Sequence, residues 1–441
     1  MRRGLARLVA GVSVIWLLAA ALIPRDSALR PAYLFNTYGL FPVLTATVLV
    51  GQAASSRVQR TFRLSLPDAA LSGFLAFAAI SLALRSVAGA ASPRDAADLW
   101  RAFVVPAAAF WAVRAARLRE EDFDGWVAPL SALCAVELAV GLLAWFSPAS
   151  LPAFWPGAVE ETGGLRVVGT LTQPDLYSAV LVFAATLLAR TGRTAASPAM
   201  RWAASTGFAL AFVGVFLSFS RASWLGGALA LALLVAACGR SVALPCLAIA
   251  LAVVGLSQVP SREAKVPATE SPLVAAAPAS RDATPAREPY AVTRLKMSGT
   301  IADRIVLASA GLRMFLQKPL LGWGFGTYDR HARAHVTDVG PFVASEWDRR
   351  WAASHCTHVS VLAEMGLLGY VLFVAPAAAL ATATVRRRRR DRALTRLWAV
   401  AAFLAVVSVL VDLRYVTTAL GVAGLVLGLI AVRVEDDRPD A

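Results

Sequence analysis

The four histidines of the chain are the residues best suited to proton transfer, and all of them lie in one stretch. His331, His335, His355 and His358 fall within residues 319–369, a segment that leads directly into an apolar run. The last two are three residues apart, which predicts that they share a face at the mouth of a helix. A neutral imidazole can take a proton from a hydroxyl group near neutral pH. The spacing therefore predicts a general base, either His355 or His358, although polar residues that merely cap a membrane span are the alternative.

A metal site is the second chemistry that four histidines suggest. His331 and His335, spaced four residues apart, could join the other pair as ligands. The sequence has no His-Glu-x-x-His motif and no second carboxylate cluster at ligand spacing. We therefore predict no metal ligands and no cofactor.

A glycine run and an acidic residue flank the histidines. Gly322, Gly324 and Gly326 permit tight turns and close approach of the backbone to a ligand, so they are possible supporting residues. Glu364 lies nine residues beyond His355, about 13 Å further along a helix. That distance is too great for direct proton transfer. We expect Glu364 to bond a neighbouring helix or to orient the site.

Two arginines at the membrane edge are candidates for binding a phosphorylated group. Arg221 lies between two apolar runs with almost no loop between them, and Arg166 lies just before an earlier run. Arg221 could be an interfacial anchor, but a fixed charge at a membrane edge favours function. A guanidinium is a planar fork of donors that suits a phosphate or diphosphate. We predict that both arginines bind a phosphate or a diphosphate, with Arg304 as possible support.

The composition predicts a membrane protein. Of 441 residues, 58% are hydrophobic and 16% are charged, and the mean hydropathy is +0.62. Many apolar runs are long enough to cross about 30 Å of hydrocarbon at roughly 20 residues each. The pattern predicts an all-α, polytopic membrane helix bundle with about 12 transmembrane helices. The predicted spans are residues 8–23, 32–52, 67–84, 99–115, 125–146, 174–189, 202–219, 222–238, 241–257, 357–385, 397–413 and 416–432.

The net charge of +15 reflects topology better than nucleic-acid binding. The arginines form short clusters between apolar runs and are not interleaved with aromatic residues, so we predict no nucleic-acid partner. If the N-terminus is cytoplasmic, the inner connections hold almost three times as many arginines as the short outer ones. This bias predicts that both termini are cytoplasmic. The four scattered cysteines predict neither a disulfide framework nor a zinc site.

One outer connection, residues 258–356 between helices 9 and 10, is long. Within it, residues 259–290 are rich in Ala, Pro, Ser and Thr, which predicts a flexible insert. Apolar residues then follow a helical stripe, which predicts an amphipathic helix at about residues 300–317 along the membrane surface. The predicted organisation is residues 1–257 with helices 1 to 9, this loop, and residues 357–441 with helices 10 to 12 and a cytoplasmic tail.

Four segments, in this order and within residues 160–375, resemble the O-antigen ligase and polymerase superfamily. They are Arg166-Val-Val-Gly-Thr-Leu-Thr-Gln-Pro-Asp175; Ser220-Arg221 between paired helices; Pro319-Leu-Leu-Gly-Trp-Gly-Phe-Gly326; and His355 nine residues before Glu364-Met-Gly-Leu-Leu-Gly369. Two departures from the family pattern are present. The asparagine usual after the histidine is Cys356, and the usual Pro-Asn is Pro174-Asp175. The base therefore stays open between His355 and His358.

The resemblance implies a bacterial inner-membrane enzyme that moves glycans from undecaprenyl diphosphate on the periplasmic side, where the long loop would lie. By position it places the catalytic histidine at His355 and the phosphate-binding arginines at Arg166 and Arg221. The implied partners are the lipid bilayer, the lipid-linked glycan donor and an acceptor. The acceptor is lipid A core in a ligase, another lipid-linked repeat in a polymerase, or a protein side chain in an O-oligosaccharyltransferase.

A transporter or flippase of lipid-linked glycans is the alternative from another class. It would account for twelve spans and for charges within them without catalysis. Its signature is two related halves with interrupted helices in matching places. The sequence has no clear internal repeat, and one large loop in the C-terminal third argues against symmetric halves.

Overall fold

The structure is a computed structural model that describes residues 2–23, 30–53, 65–152, 155–161, 164–171, 173–257, 299–336, 354–386 and 391–436. The predicted insert at residues 259–290 lies outside these ranges. The helices are α1 Arg2–Leu22, α2 Arg30–Leu34, α3 Leu40–Ala53, α4 Leu66–Val87, α5 Pro93–Leu99, α6 Val105–Ala116, α7 Val127–Phe146, α8 Pro174–Thr194, α9 Pro198–Leu217, α10 Arg221–Cys238, α11 Ala243–Ser257, α12 Gly299–Gln317, α13 Tyr328–His331, α14 Thr357–Val385, α15 Arg392–Leu410 and α16 Thr417–Asp436. The strands are β1 Gly157–Glu161 and β2 Gly164–Gly169.

The helices confirm the predicted all-α, polytopic membrane class. Within the described ranges, ten helices are long and apolar enough to cross a membrane, and two shorter apolar helices, Phe35–Val50 and Leu244–Val253, coincide with two further predicted spans. The total of twelve stays a prediction, because length and composition alone identify these helices. The small antiparallel hairpin of β1 and β2 was not predicted.

Helix α8 lies at the centre of the bundle, since every residue from Pro174 to Ala189 is buried. Its side chains join the main hydrophobic core, together with side chains of the N-terminal and C-terminal helices. Proline at the first helical position fits this start, because its missing N–H has no intrahelical acceptor there. The central helix therefore places its first residues, including Asp175, at a fixed position at one end of the bundle.

Ion pairs gather at the two ends of the bundle. At one end Arg114 pairs with Asp68 and Glu435, and Arg396 pairs with Glu120 at 2.5 Å. We call the other the histidine end, because it holds all four histidines; its ion pairs join Arg85 and Arg330 to Asp95, and Arg414 to Glu364 and Asp412. The predicted inner and outer connections between successive helices also lie at these two opposite ends.

Helix α14 is interrupted at Gly366, where φ is 62° and ψ is −166°. The glycine run that precedes α13 fills the break with its own backbone. Four backbone hydrogen bonds join them: Trp323 N to Ala363 O (3.1 Å), Gly324 N to Glu364 O (2.8 Å), Leu367 N to Pro319 O (2.7 Å) and Leu368 N to Leu320 O (3.2 Å). Here the run contacts the protein's own backbone, and Gly322 is required because a Cβ there would lie 2.4 Å from the Glu364 carbonyl.

Replacing Gly366 by alanine will lower the thermal unfolding midpoint in detergent. The new Cβ would lie 2.4 Å from the Leu320 carbonyl carbon, and the backbone conformation itself costs a non-glycine residue about 1–3 kcal/mol. Gly125→Ala is the matched control, since a Cβ there meets nothing within 4 Å. Equal midpoints for the two variants would contradict this account of the break.

Helix α12 occupies the position of the predicted amphipathic helix. Leu307, Ala310 and Met314 form its buried face. The apolar stripe that predicts this helix consists of Ile301, Ile305, Ala308, Leu312 and Phe315, and of these Ile305 and Leu312 are exposed. The exposed stripe leaves an apolar surface available to lipid on the side away from the bundle.

Candidate active site

Arg166 is positioned by the hairpin at the histidine end. It lies in β2, where it is buried and pairs with Val159 of β1. Beyond the strand, Thr170 donates its backbone N–H (2.9 Å) and its hydroxyl to the buried carboxylate of Glu137 on α7. These bonds hold the end of β2 against α7. They therefore also hold Arg166, which lies in β2, in a fixed position relative to the bundle.

Arg221 is positioned by a tight turn between α9 and α10. Ser220 caps α10 by accepting the backbone N–H of Ser223. Asp175, at the start of α8, accepts hydrogen bonds from the hydroxyls of Ser220 (2.6 Å) and Ser223 (2.9 Å). Asp175 stands where the family pattern usually has asparagine. Its carboxylate accepts both hydroxyls and so connects the first turn of α10 to α8. Arg221, the first residue of α10, is fixed in place with that turn.

The turn before Arg221 also depends on aromatic packing. Phe219 has a positive φ of 47°, which is uncommon for a residue with a bulky side chain. Its ring stacks on Trp145 of α7, with centroids 5.1 Å apart, and Trp224 stacks on Phe216. Packing therefore holds a backbone shape that Phe219 would otherwise avoid.

Arg304 brings a third guanidinium to the same place. Arg221 lies within electrostatic range of both Arg304 and Arg166. Arg304 is on α12 and donates to the Leu410 carbonyl at the end of α15 (3.1 Å). Three elements remote in sequence thus converge their positive charges. Because like charges repel, such a convergence favours binding of an anion. We call these three residues the arginine cluster.

His355 lies in the turn before α14 and has a positive φ of 52°. The expectation that it shares a helical face with His358 is wrong, because α14 begins only at Thr357. A hydroxyl network holds the turn: Ser354 Oγ donates to Ser360 Oγ (2.7 Å) and accepts the backbone N–H of Cys356 (3.1 Å). A strained non-glycine residue at this position supports a functional role for His355.

The turn with His355 and the arginine cluster are anchored side by side. Thr357 Oγ1 donates to the Val411 carbonyl (3.1 Å) and accepts the N–H of Leu413 (2.9 Å). Arg304 bonds the carbonyl of Leu410, the residue immediately before Val411. Successive carbonyls at the end of α15 therefore hold both groups. This shared anchor places the turn of His355 beside Arg304.

His358 is held inside the bundle. Its Nε2 lies 3.0 Å from Ser408 Oγ on α15, and its Nδ1 lies 3.3 Å from the Tyr370 hydroxyl. The Phe373 ring is 6.0 Å from its own. Both ring nitrogens therefore have partners from the protein, which suits a residue that joins helices better than one that accepts a substrate proton.

The other two histidines pack around one tryptophan. The ring of His331 is 4.5 Å from that of Trp323, and the ring of His335 is 6.1 Å from it. Lys318 Nζ lies 3.9 Å above the same tryptophan ring, and burial and Lys318 lower the pKa of His331. Across the described ranges, no three His, Cys, Asp or Glu residues lie together as metal ligands would.

Glu364 bonds neighbouring elements, as predicted. It accepts the backbone N–H groups of Gly326 and Tyr328, both at 3.0 Å, and pairs with Arg414 at 2.6 Å. Arg414 in turn holds Asp412 through several hydrogen bonds. Burial alone would raise the pKa of Asp412, but the charge and hydrogen bonds of Arg414, together with the hydroxyl of Ser360, outweigh it and keep that pKa below its ordinary value.

Asp412 and Arg414 are site residues that the sequence analysis missed. Asp412 accepts the hydroxyl of Ser360 at 2.6 Å, so it is the far end of the network that holds the turn with His355. A signal was present, because both charges lie in a very short connection between two apolar runs. The same argument identified Arg221.

A comparison with known families is consistent with this site. Residues 206–374 match the model of a protein family described as O-Antigen ligase. Over these residues the predicted resemblance to the O-antigen ligase superfamily is confirmed. The family is one of glycan-processing, transferase-type membrane enzymes. The match includes Arg221, Arg304 and His355, whereas Arg166 and Arg414 lie outside it. No curated protein matches the chain.

Proposed function

We propose that the protein is a ligase that transfers a glycan from undecaprenyl diphosphate to a hydroxyl of lipid A core, on the periplasmic side of the bacterial inner membrane. Two observations carry the proposal: Arg166 and Arg304 lie within electrostatic range of Arg221, and Arg304 and the strained turn of His355 are anchored on neighbouring carbonyls at the end of α15. Such a transfer needs two groups: cations that stabilise the leaving diphosphate, and a base that deprotonates the acceptor hydroxyl.

The arginine cluster binds the diphosphate of the donor. As the bond between the anomeric carbon and the diphosphate oxygen breaks, negative charge develops on the leaving lipid diphosphate. Fixed cations that face this charge stabilise the transition state more than the ground state. The planar guanidinium forks of Arg166 and Arg221 contact the phosphate oxygens, and Arg304 adds charge from α12.

His355 is the base. Its imidazole takes the proton from the acceptor hydroxyl, and the resulting oxygen attacks the anomeric carbon. We choose His355 over His358 because Ser408 and Tyr370 engage both ring nitrogens of His358. The network of Ser354, Ser360 and Asp412 acts on the position of His355 and not on the substrate.

The proposal includes no metal and no cofactor, because the cations that neutralise the diphosphate are supplied by arginine. It also includes the orientation, with the histidine end periplasmic and both termini cytoplasmic. The excess of arginines in the predicted inner connections supports this orientation.

Deletion of the gene from its host tests the function. The expected result is lipopolysaccharide that ends at the core, together with accumulation of full-length polysaccharide on undecaprenyl diphosphate. Core that carries a single repeat would instead identify a polymerase. Unchanged lipopolysaccharide with loss of glycosylated proteins would identify protein O-glycosylation. Either of these results would contradict the ligase.

A further inference from the structure

A second polar site lies at the histidine end, apart from the arginine cluster. It is a cavity of about 390 Å³ between α5, the glycine run and the short turn Leu413–Tyr415. This volume falls within the range of small-molecule sites, roughly 300–1,000 Å³. Glu364 and Arg414 form part of its wall. The cavity is therefore built on the same buried ion pairs that support the turn of His355.

The charges of the cavity wall nearly cancel. The wall contains five arginines and four carboxylates. Several face each other as ion pairs, including Arg101 with Asp98 (2.5 Å) and Arg330 with Asp95 (3.1 Å). The arginine cluster, by contrast, consists of three positively charged side chains. The cavity thus has no strong preference for an anion.

A balanced wall of this kind suits a ligand rich in hydroxyl groups. A hydroxyl both donates and accepts, so it can bond a carboxylate and a guanidinium at once. Hydrogen bonds that involve a charged partner are about twice as strong as neutral ones. The Tyr415 ring, which the guanidiniums of Arg101 and Arg414 approach to 5.8 and 5.9 Å, adds an apolar body with a polar tip.

We propose that this cavity binds a sugar unit of the acceptor glycan. The inference rests on the proposed transfer function and adds to it the place of the acceptor. Glu364 lies seven residues after Thr357, so the cavity is about 10 Å along α14 from the turn of His355. The bound sugar is therefore a neighbour of the sugar that carries the attacking hydroxyl, and not that sugar itself.

A continuous chain of bonds connects the cavity to the catalytic turn. Arg414 in the cavity wall donates to Asp412 (2.8 Å), Asp412 accepts the Ser360 hydroxyl (2.6 Å), and Ser360 lies 2.7 Å from Ser354 beside His355. A sugar that bonds Arg414 therefore acts on a rigid network that ends at Ser354 and Cys356, the two chain neighbours of His355. Binding of the acceptor and placement of the base are coupled in this way.

Asp329 and Arg333 allow the cavity to be tested without disturbing the fold. Both line it, and within the described part of the chain neither side chain takes part in the ion pairs that hold the wall together. The variants are Asp329→Asn and Arg333→Gln. Arg313→Gln is the matched control, since Arg313 is exposed on α12, lies outside the cavity wall and, among the residues that the structure describes, bonds the His335 carbonyl (2.9 Å).

The measurement is calorimetric binding of free core oligosaccharide, released by mild acid from lipopolysaccharide that lacks O-antigen. We expect each cavity variant to weaken binding about tenfold, as loss of one hydrogen bond to a charged group does, and the control to bind like wild type. Equal binding by all variants, or no binding by wild type, would overturn the proposal. This result is independent of glycan transfer, so failure of the transfer function would be recognised separately.

Discussion

The His355→Ala variant will lose most glycan transfer while it still binds the lipid-linked donor. The imidazole acts on the acceptor hydroxyl, so its removal eliminates general-base catalysis, which contributes typically about 10²–10⁴-fold. The donor binds through the arginine cluster, which the substitution leaves in place. The measurement is the transfer rate from purified donor in detergent, together with the Kd of the donor.

Two further histidine variants complete this test. His335→Ala removes an imidazole at the same end and should retain transfer. His358→Ala breaks the contacts to Ser408 and Tyr370, so it should lower the unfolding midpoint more than it lowers the rate. Full activity in His355→Ala with none in His358→Ala would move the base to His358 and contradict our assignment.

The Arg221→Lys variant will lose about a hundredfold in transfer rate, although the side chain keeps its charge. An ammonium cannot make the planar two-pronged contact with phosphate oxygens, and removal of one preorganised donor typically costs about 10²–10³ in kcat. The loss should appear mainly in kcat, because charge develops on the diphosphate as the bond breaks. Steady-state kinetics with purified donor will separate kcat from KM.

Arg313→Lys is the control for this substitution. Arg313 lies on α12 at the same end of the bundle, is exposed, and bonds a backbone carbonyl. It should transfer glycan at the wild-type rate. Wild-type kinetics in Arg221→Lys and in Arg166→Lys would contradict the diphosphate clamp, and would leave the arginine cluster as an element of structure alone.

The membrane helices could be predicted because lipid imposes a simple rule on sequence. A span needs an apolar run of sufficient length, and such runs are visible without tertiary information. Pro174–Thr194, for example, begins at the predicted residue. The short hairpin that carries Arg166 could not be recognised in the same way, because two strands of five and six residues, which together contain three glycines, show no clear alternation.

The residues of the site could be predicted more easily than their arrangement. Arg221 and His355 were found because charges at the edge of a span require a reason. Their convergence with Arg304 depends on how α10, α12 and α15 pack, which no local pattern encodes. The role of the glycine run was also hidden, since its fit against Gly366 joins two segments more than 40 residues apart. From the sequence we predicted that the glycine run approaches a ligand. In the structure it packs against the backbone around Gly366 instead.

The most direct measurement of the central claim is the balance of products formed by the purified wild-type protein. The reaction contains lipid-linked glycan donor, core lipid A acceptor and EDTA. Our account predicts that glycosylated core and free undecaprenyl diphosphate appear in equal amounts, and that EDTA leaves the rate unchanged. Movement of intact donor across a reconstituted bilayer without release of undecaprenyl diphosphate would identify a transporter, and would contradict the account.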